Sequence, residues 1–176
     1  AEFADRALRL GGHAIAIAKS EHLAALAARL RGFGCADSAA AHHSGRLVML
    51  DAELMLSRFM VDGWPDKERF ISSIGAVVAR AAQSAGGPIH AFGEMVGLLC
   101  ERGEYEAALR LEGLWNELAG RYTFTLFCAY SQALFADAEQ SAVFEHVCAA
   151  HTHVLPSELL ASADATQAER LVALWR

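Results

Sequence analysis

Four short runs rich in apolar residues, His13–Ala18, Arg46–Asp51, Pro88–Phe92 and Thr123–Tyr130, are separated by segments that repeat apolar residues at helical spacing. Near-continuous apolar runs are the mark of strands covered on both faces. Strands separated by helices of ten or more residues pair in parallel through right-handed crossovers. The pattern predicts an α/β fold: a three-layer parallel sheet with helices on both faces. A chain of 176 residues is long enough to bury such a sheet as one domain.

The intervening segments fill in that plan. Ala1–Leu10 reads as an amphipathic helix closed by Gly11-Gly12, and a helix feeding the first strand leads us to expect an earlier strand before it. Ser20 suits the N-cap of a helix over Glu21–Arg31, and Ala36–Gly45 reads as a loop with a short helical turn. Helices are expected over Ala52–Met60, from Pro65 to Gly86-Gly87, from Glu94 to near Gly103, over Tyr105–Arg121 and over Val143–Ala150. Pro156 marks a change of character, so the domain is drawn as 1–156 with a mostly helical connecting tail at 157–176.

Composition excludes several classes. With a net charge of −6 and no block of Lys or Arg, the segment has no basic surface for direct nucleic-acid binding. The longest uncharged run, Tyr122–Ala136, has 15 residues and includes Thr, Ser and Gln, short of the roughly 20 a spanning helix needs, so no membrane partner is expected. Cys35, Cys100, Cys128 and Cys148 stand far apart with no C-x-x-C pair, which suits reduced thiols and a cytoplasmic location.

In open parallel sheets ligands sit outside the carboxyl ends of the strands. Those ends carry Lys19, Ser20 and Glu21, then Asp51, then Glu94, then Tyr130. The helix Tyr105–Arg121 brings Glu112, Trp115 and Asn116, the first two on its inner stripe. The candidate ligand-binding set is therefore Asp51, Glu94, Glu112, Trp115, Asn116 and Tyr130. Each has a plain structural reading beside it: Asp51 and Glu94 stand where helices start and could cap them, and Trp115 could be core. Glu112 needs a partner, since a buried carboxylate costs several kcal/mol unless paired, and Arg58, Arg80 or Arg102 could supply one. No phosphate-cradling G-x-x-x-x-G-K-[ST] and no nucleophile elbow occur, so neither a catalytic residue nor a cofactor is assigned. Cys148-x-x-His151-x-His153 offers metal-ligand types without a fourth partner nearby, and no metal is assigned either.

Gly45-Arg-Leu-Val-Met-Leu-Asp51, Ala91-Phe-Gly-Glu-Met-Val96, Leu109-x-Leu-Glu-x-Leu-Trp-Asn116 and Cys148-Ala-Ala-His151 together resemble the MEDS family, sensory domains named after methanogens, methylotrophs and the dichloromethane-responsive repressor. The resemblance runs from Phe3 to about Pro156, without the H-x-x-x-F-Y-E-x-D segment that usually opens such domains. It implies a RecA/KaiC-like fold with a degenerate nucleotide site, Glu94 standing where the Walker B acid would be. It also implies sensing of small molecules such as hydrocarbon derivatives, and coupling to an output module or partner signalling protein such as a histidine kinase.

The expected function is a non-catalytic sensory domain that binds an unknown small-molecule ligand at the sheet's carboxyl edge. The apolar residues of the tail, Leu159, Leu160, Leu171, Leu174 and Trp175, add the expectation of a homodimer. Two alternatives stand beside it: a protein-interaction module built on Phe59, Met60, Val61 and Trp64, and a residual nucleotide-binding domain.

Overall fold

The computed structural model describes residues 1–32, 38–84, 86–131, 145–149, 151, 153–155 and 171–175. Strands β1 (His13–Ala18), β2 (Leu47–Asp51), β5 (Ile89–Gly93) and β6 (Thr125–Ser131) pair in parallel in the order β2-β1-β5-β6. This is the predicted sheet, with all four strands where the apolar runs lie. A two-stranded hairpin, β3 (Met60–Val61) with β4 (Trp64–Pro65), stands apart from it.

Side-chain alternation sends residues of each strand to two different cores. On one face α1 (Glu2–Arg9), α2 (Ser20–Gly32) and α3 (Ser38–His43) enclose Ala4, Leu8, Ala14, Leu30, Ala41 and Leu47. On the other, α4 (Ala52–Phe59), α5 (Lys67–Phe70), α6 (Ala76–Gln83), α7 (Met95–Glu101) and α8 (Tyr105–Ala119) cover Ile15, Ile17, Ile89, Ala91, Leu126, Cys128 and Tyr130. The first crossover runs over one face and the next two over the other, as right-handed connections in this strand order require.

Two local departures have physical causes. The helix expected from Pro65 to Gly86 is interrupted by a π-helical turn at Ile71–Gly75, where Ser73 Oγ donates to the Arg69 carbonyl at 2.6 Å within the helical ladder. At the far end, Leu171–Trp175 forms β8, antiparallel to β6 and to β7 (His153–Leu155), where the sequence suggested part of a helical tail. Among the described residues β6 has no parallel neighbour beyond it, and an open strand edge is satisfied by a pairing segment. The dimer expected through an apolar helix loses that helix at 171–175; the remainder of the tail lies outside the described residues, as does the whole segment between β6 and residue 145.

β1 and β5 begin at two glycine-flanked turns that touch. A Cβ on Gly12 would lie 1.9 Å from the Pro88 carbonyl oxygen, and one on Gly87 would lie 2.5 Å from that of Leu10. By contrast, a Cβ on Gly113 of α8 would meet open space. Gly12→Ala should therefore lower stability by about 1–3 kcal/mol through backbone displacement. Gly113→Ala should raise it by about 0.5–1 kcal/mol through helix propensity. Urea unfolding of the two variants checks both signs.

Candidate functional site

Parallel strands 2-1-3-4 in spatial order have their switch point between the first and third, here between β1 and β5. Glu94 ends β5 at that crevice. It does not cap its own helix, although it occupies the N-cap position of α7. Its carboxylate instead reaches across to the start of α2, accepting from the Lys19 backbone N–H at 2.9 Å and lying 2.8 and 2.9 Å from His22 Nδ1. Both partners lie at the carboxyl end of β1, brought there because Glu94 N–H donates to Ile17 O and so fixes the two strand ends side by side. Glu94 is mostly covered, with 12% of its side chain exposed, whereas His22 is open to solvent at 52%.

Asp51 stands on the other side of β1. It caps α4 by accepting from Leu54 N–H and also accepts from Ser20 Oγ. The Ser20 hydroxyl, followed by the Leu54 amide, holds its carboxyl below the usual carboxylate range. The capping reading is therefore what the geometry gives for Asp51. Lys19 completes this rim, its ammonium donating to both oxygens of Glu101, which raises its pKa.

Glu112 belongs to a different set of contacts. It is 2% exposed on the inner face of α8 and accepts a hydrogen bond from the Tyr130 hydroxyl. His151 Nε2 lies 3.8 Å from its other oxygen. Where the sequence suggested an arginine, the phenol of Tyr130 donates to this carboxylate and the imidazole of His151 stands beside it, both inside the protein. Cys128, two residues before Tyr130 on the same face of β6, offers a sulfur to this group: one ligand-type atom each from Glu112, Cys128 and His151 lie within 4.8 Å of one another. His151 follows the short helix 145–149 and its Nδ1 lies 2.6 Å from the Val147 carbonyl. A carbonyl only accepts, so Nδ1 carries the proton and a neutral ring leaves Nε2 as a bare lone pair. Burial lowers the His151 pKa, the Val147 hydrogen bond opposing it, and pushes the Cys128 thiol up to about 12 and the Tyr130 phenol well above its ordinary value.

The other predicted site residues divide. Trp115 is buried and stands edge-on to Phe70 with ring centroids 5.4 Å apart, as core. Asn116, expected beside Glu112, is exposed on the outer side of α8. Tyr130 is buried at Glu112, not open at the rim. Sequence reading missed His22 and Cys128 because their partners are 72 and 16 or more residues away in the chain, with no local spacing to reveal them. A separate groove of about 260 Å³, lined by Leu30, Arg31, His42, His43, Leu47 and Met49 among others, lies on the α2 face.

The model of the MEDS family, described as the methanogen/methylotroph, DcmR sensory domain, matches residues 1–152. No curated protein and no solved structure matches the chain.

Tyr130→Phe should destabilise the protein by about 1.5–3 kcal/mol, because it removes a hydrogen bond to a buried carboxylate. Adding Glu112→Leu should restore part of that loss, since two apolar side chains leave this pair with nothing unmet; urea midpoints of the single and double variants measure it. Burial, followed by the nearby Arg46 charge, also lowers the pKa of His13, whose Nε2 lies 3.1 Å from Ser84 Oγ. The unfolded chain therefore binds protons more readily, and stability is lost as pH falls below the unfolded value of 6.5 toward the folded one. The urea midpoint should fall between pH 7.5 and 5.5, and His13→Asn should shrink that fall.

Proposed function

The chain belongs to the MEDS family of sensory domains, and from that premise we propose that it is a non-catalytic regulatory domain binding a small ligand at the carboxyl edge of its sheet. Binding there controls an attached or partner output module, a histidine kinase being one such module. The observation that carries the reading is the Glu94–His22 contact astride the β1/β5 switch point. A carboxylate that leaves its own helix uncapped to hold an exposed imidazole and a backbone amide is a set of polar groups that a small polar ligand can enter by exchange. The imidazole is the solvent-exposed half of the pair, so moving it aside into water is a small penalty for a ligand. A ligand that binds one arrangement of the β1–α2 turn better than another shifts the population of both, and α2 conveys the difference.

One feature supports a second reading, that of a protein-interaction module. Trp64 is 48% exposed at the β3–β4 hairpin, next to a turn in which Asp62 and Gly63 both have positive φ, 50° and 81°. Phe59, grouped with it in the sequence, is fully buried in the core, so the patch reduces to Trp64 with the half-buried Met60 and Val61.

A thermal-shift panel of small alcohols, amines, carboxylates and halogenated methanes, with magnesium-ATP included, tests the first reading. Compounds that raise Tm for the wild type should lose that effect in Glu94→Gln and His22→Ala. Stabilisation that survives both substitutions would remove the rim from consideration, and stabilisation by magnesium-ATP alone would favour a nucleotide-binding domain.

A further inference from the structure

We propose that Glu112, Cys128 and His151 form a buried binding site for a divalent transition-metal ion, zinc being the cation that this set of donors suits best. Three observations carry it. The first is the donor set: one carboxylate oxygen, one thiol sulfur and one imidazole nitrogen, all within 4.8 Å of one another. Zinc takes these three donor types with bonds of about 2.0–2.3 Å, which places ligand atoms of a tetrahedral shell about 3.3–3.8 Å apart. The His151 Nε2 to Glu112 Oε2 separation of 3.8 Å is within a few tenths of an ångström of the roughly 3.3–3.5 Å that a nitrogen–oxygen pair would take, a shift that side-chain rotation on binding supplies.

The second is the state of the imidazole. His151 has no exposed side-chain surface, and its Nε2 makes no hydrogen bond among the described residues. An imidazole nitrogen left this way inside a protein is a lone pair without a partner, and a cation between it and the carboxylate supplies one.

The third is the support behind the donors. The Nδ1–H of His151 is held by the Val147 carbonyl and Glu112 Oε1 by the Tyr130 hydroxyl, so both are oriented from behind as metal ligands are. On binding, the Cys128 sulfur–metal bond forms as its S–H bond breaks, and the proton leaves to solvent. Three protein ligands leave a fourth position for water or another small donor. The site links α8, β6 and the segment after helix 145–149, so the cation ties that segment to the body of the sheet.

The test is titration of the metal-free protein with Co²⁺ and then Zn²⁺. Cobalt should give thiolate-to-metal charge-transfer absorption and tetrahedral d–d bands that zinc displaces. Zinc a hundredfold above its Kd should raise Tm by about 5–10 °C. Cys128→Ser and His151→Gln should each abolish the charge-transfer band or weaken affinity at least tenfold, and Cys148→Ser should retain both. Absence of the band, or its loss in Cys148→Ser with retention in Cys128→Ser, overturns the assignment. X-ray absorption of the wild-type zinc complex needs no variant to fold: a shell of sulfur with nitrogen and oxygen agrees with the site, and a shell without sulfur, as surface histidines such as His42 and His43 would give, overturns it.

Discussion

Burial of β1 on both faces is the constraint from which the remainder follows. All six residues of this strand are buried, and Ala alternates with Ile along most of it, so helices approach closely on one face while the larger side chains fill the core on the other. A strand with no wet face cannot carry polar chemistry along its length. Polar groups are therefore displaced to its two ends. At the amino end lie His13 and the Gly12–Pro88 contact; at the carboxyl end lie Lys19, Ser20 and, reaching over from neighbouring strands, Asp51 and Glu94.

Glu112 is the exception that the sheet permits. It comes from a helix, it is answered from β6 by a tyrosine, and a histidine from beyond helix 145–149 stands 3.8 Å from its other oxygen. A buried acid answered by a donor that is itself buried is a more demanding arrangement than an arginine reaching in from solvent, because the hydroxyl and the carboxylate both leave water to meet. The rim and the buried cluster thus differ in kind: one is wet and exchangeable, the other enclosed.

The sheet was legible because its strands are uninterrupted apolar runs, and helices of ten or more residues between them leave one way to pair. Asp51 could be placed as a cap from its position alone. The fate of Glu94 could not, since its partners come from the turn after β1 and only the β1/β5 pairing brings them into reach. Helical periodicity correctly placed Glu112 and Trp115 on the inner stripe, but Asn116, expected beside them, lies on the outer side, because a stripe boundary is set by what packs against it. For the same reason Cys148 looked like the natural companion of His151, three residues away, whereas the sulfur that actually approaches comes from the neighbouring sheet. Leu171–Trp175 misled because a short apolar run fits helix or strand equally well until an open sheet edge decides.

β6 also sits at a seam. Its Phe127 faces Phe92 in a parallel ladder on one side, while Cys128 faces Leu174 and Tyr130 faces Val172 in an antiparallel ladder on the other. A strand bonded on both edges does not slide by fractions: a slip of one residue turns every side chain to the opposite face. Any displacement of β6 relative to its neighbours is therefore stepwise, like a ratchet and unlike a spring. This joint favours discrete positions of β6 over graded ones.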